Sequence, residues 1–498
     1  MPKHFDVNMV CNRLSWIMSK RFRSCSLDQP LLLPPPLQDW LPEKHLARFI
    51  ADVVAQLDLS KILEAYRRRD GRGMAAYHPV MMVRVLLYGY CLGVTSSRKI
   101  ERASYEDVAF RYLAADQHPD HDTIADFRQT HLQNLAGLFL QALQLCEKAG
   151  LVKLGHVAID GTKMKANASK HKAMSYDRME EKENKLREEV EKLLAQAAQT
   201  DAEEDARYGK GQPGDDLPAE LARRESRLKK IAAAKAALEQ EARERAAAVE
   251  AKLEQRRKQE QEQGTKIGGR PPQVPDPEQA KPEPKAQKNF TDPDSRIMMD
   301  GATKSFQQAY NAQAAVDSQA QIIIVAAAIT QEANDKRQLL PMLKQVEENV
   351  GRKPAQATAD AGYFSEEAVT DPNVEGIDLL VAPDRQKHGQ FCPRTGAVLH
   401  DAPQAGTEPV GDGGESAATV GKSATETMRG KLRAAAGHAV YKMRKAVVEP
   451  VLGQIKERRG LRGFSFRGRE KVAAEWQIIC LTHNLLKLFR GGVCPEPA

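Results

Sequence analysis

The sequence predicts an α/β fold in which an all-α domain precedes a domain of strands and helices that a long helical insertion interrupts. Three observations support this prediction. Between residues 43 and 150 apolar residues recur at spacings of three and four, the period of amphipathic helices. Short apolar runs bounded by turn residues follow at 156–159 and again from residue 310, as in strands. The stretch 172–262, which lies between them, repeats its apolar residues in heptads.

The composition indicates a soluble chain with a basic surface. The 498 residues are 41% hydrophobic and 28% charged, with a formal net charge of +7. No run of about 18 apolar residues is present, so we expect no membrane span. The N-terminus lacks the apolar segment of a signal peptide. The 7 cysteines include no CxxC pair, which favours a reducing cytoplasm and argues against a zinc ribbon.

Residues 1–42 are interpreted as a lead-in to the first domain. Met18 can itself serve as a start, so we expect residues 1–17 to be an upstream extension, and a proline-rich stretch follows. Residues 43–150 then form the helical domain, in which Asp122 is a helix N-cap signal. The polar cluster at 118–122 contains two histidines and two aspartates, but no further metal ligand lies nearby in the sequence. We interpret it as a turn and cap.

The insertion at 172–262 is predicted to be a coiled-coil hairpin. Its two heptad seams are Leu186, Val190, Leu193 and Ala197, and Leu221, Leu228, Ile231 and Leu238. A turn-forming stretch at 208–218 separates them. Residues 263–288 are rich in proline and predict a flexible linker. Because strand patterns resume afterwards, the insertion lies inside one domain, 151–490, which a short tail at 491–498 follows.

Acidic residues end two predicted strands. Asp160 follows the apolar run at 156–159, and Asp360 follows a predicted strand at 355–359. An acid at the carboxyl end of a core strand is well placed to bind a metal, because the sheet opens to solvent there. The alternative for Asp160 is an ordinary Asp-Gly turn.

With the insertion removed, the predicted order is strand, hairpin, helix, strand, helix, strand, helix. The hairpin covers 310–330, the first helix 334–350 and the last strand 377–383, before a loop at 396–424. This order is ribonuclease H-like, with acids after the first strand, after the fourth strand and on a late helix. The closing apolar helix contains His483, which we interpret as a core or capping histidine.

The late helix places an acid among bases. Lys445, Glu449 and Lys456 are spaced by four and seven residues, which puts them on one helical face. Residues 441–471 hold ten Lys and Arg against three Glu, a surplus that suggests a polyanionic partner. The carboxylate can bind a divalent cation while the bases hold phosphates. The alternative is a salt-bridged, solvated helix.

The sequence resembles DDE transposases of bacterial insertion sequences, in the IS4/IS5-like superfamily and most closely the IS1182 family. The resemblance spans residues 18–490. Its blocks are HVAIDGTKMKANASKHKAMSY, NFTDPDSRIM, YNAQAAVD, ADAGYFSE, YKMRKAVVEPVLGQIKERRG and EWQIICLTHNLLKL. It implies a ribonuclease H-like catalytic domain in which Asp160, Asp360 and Glu449 are the catalytic residues. The same three carboxylates are then the ligands of two Mg²⁺ ions, for which Mn²⁺ can substitute.

The resemblance also implies which side chains bind DNA. The family signature Tyr-x2-Arg-x3-Glu-x6-Lys is matched in spacing by Tyr441 with Arg444 and by Glu449 with Lys456. Four residues rather than three separate Arg444 from Glu449, so either Arg444 or Lys445 takes the place of the arginine. Two further bases, Lys163 and Lys165, add positive charge beside Asp160 and complete the predicted DNA-binding set.

The predicted function is Mg²⁺-dependent cleavage of DNA at terminal inverted repeats, followed by transfer of the 3′-OH ends into target DNA. The resemblance implies double-stranded DNA as partner, an assembly of at least two subunits, and the cytoplasm and nucleoid of a bacterium. The alternative is a catalytically inactive or repurposed DNA-binding protein derived from a transposase. A structural coiled-coil protein would not explain the strand-end acids. Covalent catalysis by Tyr441 would need the Arg-His-Arg set of tyrosine recombinases, which is not evident.

Overall fold

A computed structural model describes most of the chain. The described residues are 36–67, 75–208, 217–263, 280–301, 304–326, 329–332, 335–384 and 423–492. The predicted extension at 1–17, most of the turn at 208–218 and nearly all of the loop at 396–424 lie outside these residues.

The N-terminal part is helical, as predicted. Its helices are α1 Leu46–Gln56, α2 Ser60–Arg67, α3 Pro79–Leu92, α4 Ser97–Glu106, α5 Val108–Leu113, α6 His121–Thr130 and α7 Leu132–Lys148. The cap of α6 is Asp120 rather than the predicted Asp122, because the Asp120 carboxylate accepts the Thr123 N–H at 2.7 Å. His121 contacts Glu101 at 2.8 Å. The cluster at 118–122 is therefore the turn and cap that the sequence indicated.

Two long helices form the insertion, α8 Tyr176–Tyr208 and α9 Leu217–Gln263. They pack through Leu186, Ile231 and Leu238, three positions of the predicted seams; that the pair is a coiled coil stays a prediction. At their base, strand β2 Ala173–Ser175 pairs with β3 Gln287–Asn289. The first two residues of β3, Gln287 and Lys288, fall at the end of the predicted linker at 263–288; the rest of the linker prediction stays a prediction.

The main sheet has the order β4-β5-β1-β8-β9, and β6 and β7 also pair with β5. Its strands are β1 His156–Lys165, β4 Arg296–Met299, β5 Phe306–Asp317, β6 Ile323–Val325, β7 Ile329–Thr330, β8 Gln356–Ala359 and β9 Asp378–Val381. β1 is antiparallel to β5 and parallel to β8, and β8 is parallel to β9. The predicted hairpin is present, since β6 and β7 pair antiparallel with β5, and the predicted strands and helices occur in the predicted order. Strand β4, which precedes the hairpin and pairs with β5, was not predicted.

The first strand is longer than predicted. The sequence interpretation ended it at Ile159, but β1 continues to Lys165 because the nine residues from Val157 onwards pair with β5. Asp160 and Gly161 thus lie within the strand, and neither the strand-end placement nor the alternative of an Asp-Gly turn is correct.

Helices cover the sheet. They are α10 Leu339–Val350, α11 Glu366–Val369, α12 Ala424–Arg433, α13 Ala435–Gly453 and α14 Arg469–Arg490. α10 begins five residues later than predicted, because Pro341 lacks an N–H and is tolerated only in the first turn of a helix.

The last helix, α14, joins the helical domain to the sheet, since apolar side chains of all three belong to one buried cluster. Trp476 is fully buried on α14 and its Nε1–H donates to the Gln313 carbonyl of β5 at 2.9 Å. His483 is a core histidine, as predicted: it is buried, with Nε2 3.0 Å from the Gln321 carbonyl oxygen. The boundary near residue 150 stays a prediction.

Within the described ranges, no single helix has both the length and the apolar character needed to cross a membrane. Helices α3 and α4 meet those criteria only as a pair, and the pair is bent by 101° at its junction.

Candidate active site

Two of the predicted catalytic acids lie side by side at the main sheet: Asp160 is within β1, and Asp360 directly follows the end of β8, as predicted. Ile159 of β1 pairs with Ala359 of β8 in a parallel arrangement. Asp160 and Asp360 are the next residues in the two segments, so they lie at the same level of the sheet. Burial raises the pKa of Asp160 to about 7; the guanidinium of Arg444 opposes this shift, and the negative charge of Asp360 adds to it. The two carboxylates therefore share one electrostatic environment.

Arg444 holds Asp160 from the facing helix. Its Nη1 donates to Oδ2 of Asp160 at 3.3 Å, and both side chains are largely buried. The guanidinium carbon lies 5.9 Å from the ring centroid of Tyr441, one turn earlier on α13. Lys445, the alternative for the signature arginine, is exposed. In this structure the base that contacts a predicted catalytic acid is Arg444.

A π-helical turn, Gln454–Arg458, follows α13 and aims Lys456 at β1. Lys456 Nζ donates to Thr162 Oγ1 at 3.1 Å and to the Lys163 carbonyl oxygen at 3.0 Å. Such turns recur at functional sites because they shift the side chains that follow them out of helical register. Lys163 is half-buried and burial lowers its pKa, although the carboxylates nearby oppose this. Lys165, two residues further on, is exposed.

Glu449 is not brought into contact with the two aspartates. It lies on α13 between Arg444 and Lys456, its side chain is exposed, and it forms no hydrogen bond or ion pair with the described residues. The next residue, Pro450, has no N–H to donate to the Ala446 carbonyl. That carbonyl instead accepts from the side chain of Gln321 at 3.0 Å.

The structure adds a carboxylate that sequence reasoning missed, Asp335. Its Oδ1 accepts hydrogen bonds from Asn311 Nδ2 at 2.5 Å and from Gln313 Nε2 at 2.6 Å. Its negative charge also contributes to the raised pKa of Asp160. Asp335 therefore lies in the same site as Asp160 and Asp360.

Gly161 makes room for this arrangement. A Cβ atom at Gly161 would lie 2.5 Å from Gln313 Nε2 and 2.9 Å from Oδ1 of both Asn311 and Asp335. A signal for the network was present in the predicted hairpin, where Asn311 and Gln313 alternate with apolar residues on a strand that is otherwise suited to burial. Two buried amides on one strand face need polar partners.

The donor atoms suit a hard divalent cation such as Mg²⁺, which prefers carboxylate and amide oxygens. Asp160, Asp360 and Asp335 supply carboxylates, and Asn311 Oδ1 is buried without a hydrogen-bond partner among the described residues. As arranged here, no three His, Cys, Asp or Glu side chains in the described ranges could together hold a metal ion. The ion pair with Arg444 occupies Oδ2 of Asp160, so Arg444 competes with a cation for that oxygen.

Comparison with known proteins finds two domains. Residues 35–130 match a family described as a transposase domain (DUF772). Residues 275–485, which include Asp360 and Glu449, match the transposase DDE domain. No curated protein and no solved structure matches the chain significantly. DDE transposases use divalent metal ions and act on DNA, and the two matched domains together identify this chain as a DDE transposase of the IS4/IS5/IS1182-like type.

Proposed function

We propose that this protein, as a member of the IS1182 family with a ribonuclease H-like catalytic domain, cleaves DNA at the terminal inverted repeats of an insertion sequence. It then joins the freed 3′-OH ends to target DNA. One observation carries the proposal. In a DDE transposase, Asp160 of β1 and Asp360, which directly follows the adjacent parallel strand β8, lie in one partly buried site beside Arg444.

The proposed ligands of two Mg²⁺ ions are Asp160, Asp360 and Glu449, and Mn²⁺ can replace Mg²⁺. When bound, the ions neutralise charge on the attacking and leaving oxygens of a phosphodiester. Glu449 enters this set through the family resemblance. Its exposed carboxylate has no partner among the described residues, and it is therefore available to a ligand.

Asp335 is proposed as a supporting carboxylate of the same site. Both side-chain hydrogen bonds that it receives from the described residues end on Oδ1, so none of these residues occupies Oδ2. A Cβ atom at Gly362 would lie 3.0 Å from Asp360 Oδ1 and 3.6 Å from Asp335 Oδ2, so the two carboxylates flank the same point. In this position Asp335 adds negative charge that favours binding of a divalent cation.

The bases around the acids are proposed to hold the DNA backbone. Arg444 can exchange its contact with Asp160 for a phosphate, because a guanidinium pairs with either anion. Lys456, Lys163, Lys165 and Tyr441 bind neighbouring phosphates, which fixes the position of the DNA without reading its sequence. End-specific base contacts are assigned to the N-terminal helical domain.

The remaining elements of the proposal concern assembly. The protein acts as at least a dimer on DNA, with one subunit for each element end, in the bacterial cytoplasm. Helices α8 and α9 form a coiled-coil hairpin that supplies either a subunit interface or an arm that clamps DNA. The packing of Leu186 against the other helix supports a stable pair.

The test is cleavage and strand joining on a duplex that carries the inverted repeats flanking the gene, with Mg²⁺ or Mn²⁺. Wild type should cleave and join, whereas Asp160→Asn, Asp360→Asn and Glu449→Gln should each lose activity by at least about 100-fold. Glu348→Gln, an exposed acid of α10, is the matched control and should retain activity.

Two outcomes would count against the proposal. If the three variants kept wild-type activity, these carboxylates would not form the site. If wild type bound the repeats but cleaved with neither metal, the chain would be the inactive DNA-binding protein that is the alternative function.

A further inference from the structure

A second concave surface lies beyond the active site along β1. This groove has a volume of about 630 Å³ and is lined by residues 165–172, Thr291, residues 305–308 and Arg467. A volume of this size is within the range of small-ligand sites. None of the side chains discussed for catalysis lines the groove except Lys165, at its edge.

The groove is strongly basic. Lys165, Lys170, Lys172 and Arg467 line it with exposed side chains, and no Asp or Glu is among its described lining residues. The three lysines form no ion pair with the described part of the chain. Arg467 is held in place because its Nε donates to the Asn167 carbonyl at 2.9 Å. Uncompensated positive charge in a concave surface attracts a polyanion.

The groove also contains an exposed aromatic ring. Phe306 begins β5, lines the groove, and is 61% exposed. An aromatic ring beside exposed lysines is a combination that binds single-stranded nucleic acid, because the ring stacks on a nucleobase while the lysine side chains hold the phosphates. In a duplex the faces of the bases are occupied by neighbouring base pairs, so an internal base pair offers Phe306 no free face.

One face of β1 leads from the active site to the groove. A Cβ atom at Gly161 would lie 2.9 Å from Asp335 Oδ1, and Lys165 lies four residues further along the strand, on the same face and about 14 Å away. A DNA strand held at this edge of the active site can therefore reach the groove along β1.

We propose that this groove binds an unpaired DNA strand adjacent to the cleavage site, with its phosphates on Lys170, Lys172 and Arg467 and one base stacked on Phe306. The inference extends the proposed function, since it specifies the form of DNA that this part of the protein recognises.

The test uses fluorescence anisotropy of the full-length protein in EDTA. One probe is a duplex, the second is the same duplex with a short single-stranded tail, and the third carries an abasic tail that keeps the phosphates. The normal tail should increase affinity over the duplex by at least about 10-fold, and the abasic tail should recover only part of that gain.

Variants assign the gain to the groove. Phe306→Ala should weaken binding of the normal tail by about 10-fold and leave the abasic tail unchanged. Met299→Ala, an exposed residue opposite Phe306 in the β4–β5 pair that does not line the groove, should change neither. The double variant Lys170→Glu, Lys172→Glu should weaken binding of both tailed probes and reduce the salt dependence of binding. The control Lys344→Glu, on α10, should change neither property.

The proposal is overturned if normal and abasic tails bind equally to wild type, or if Phe306→Ala has no effect. It is also overturned if the double lysine variant weakens the plain duplex as much as the tailed probe, or if an acidic peptide competes at the groove and the tail does not. Tail binding is measured without metal and cleavage is measured with metal, so the two experiments do not depend on each other. A failure of cleavage therefore leaves this result unaffected, and a failure of tail binding leaves the cleavage test unaffected.

Discussion

Replacing Gly161 by alanine tests whether the network around Asp335 controls the active site. Gly161 follows Asp160 within β1, and a Cβ atom there would lie 2.5 Å from Gln313 Nε2 and 2.9 Å from Asp335 Oδ1. Contacts under 3.0 Å force a shift. The atoms that must move are those that hydrogen-bond Asp335, so the added methyl group acts directly on the position of that carboxylate.

The expected effects differ in size. Inserting a methyl group into a well-packed site costs about 1–3 kcal/mol of unfolding free energy. A displacement of about 1 Å at a catalytic site can reduce the rate by about 100-fold. Gly161→Ala should therefore remain folded near room temperature but cleave DNA about 100-fold more slowly. Because the substitution removes no charge, DNA affinity in EDTA should stay at the wild-type level.

The assays are urea denaturation followed by tryptophan fluorescence, and initial cleavage rates on the inverted-repeat duplex. Gly155→Ala is the matched control: it lies just before the same strand, and a Cβ atom there meets nothing within 4 Å. It should change stability by less than about 0.5 kcal/mol and leave the rate unchanged. If Gly161→Ala matched Gly155→Ala in both assays, the reasoning about the Asp335 network would be wrong.

Three further predictions concern the support of the site. In urea denaturation, Gly93→Ala should lower the free energy of unfolding by at least about 3 kcal/mol, and Gly150→Ala by only about 1–2 kcal/mol. Both glycines have a left-handed backbone conformation, but only at Gly93 would a Cβ atom also clash, at 1.9 Å from the Arg459 carbonyl oxygen. Burial lowers the pKa of His483 to about 3. The unfolded state therefore binds a proton at this histidine as the pH falls below about 6.5, whereas the folded state does not. Between pH 7 and pH 5, wild type should lose about 2 kcal/mol more free energy of unfolding than His483→Gln. Trp476→Phe should lower the free energy of unfolding by about 1–3 kcal/mol, because it removes the only donor that the indole offers to a buried carbonyl. For this variant urea denaturation is followed by circular dichroism, since the substitution removes the buried tryptophan.

The order of strands and helices could be predicted because periodicity reports burial directly. A strand that is apolar for only four residues, such as the start of β1, does not show where pairing stops. Residues Gly161 to Lys165 look like a basic turn in the sequence, yet they pair with β5 along their whole length. Pairing depends on a partner strand about 150 residues away, behind the helical insertion. Local pattern carries no information about such a partner, so element type was predictable and the end of β1 was not.

The site was less predictable for a related reason. Helical spacing placed Lys445, Glu449 and Lys456 on one face, but the helix changes from α to π geometry at Gln454, and the residue that contacts Asp160 is Arg444. Asp335 was missed because it lies in the first turn of the predicted helix 334–350, where an acid is usually explained by the helix dipole. Only the fold shows that this acid lies beside Asp160, since the contact depends on amides of β5 and on a glycine of β1. Sequence pattern therefore identifies acids attached to strands more reliably than acids that long-range packing brings to the same place, and the number of carboxylates in a site of this kind is best taken from the fold.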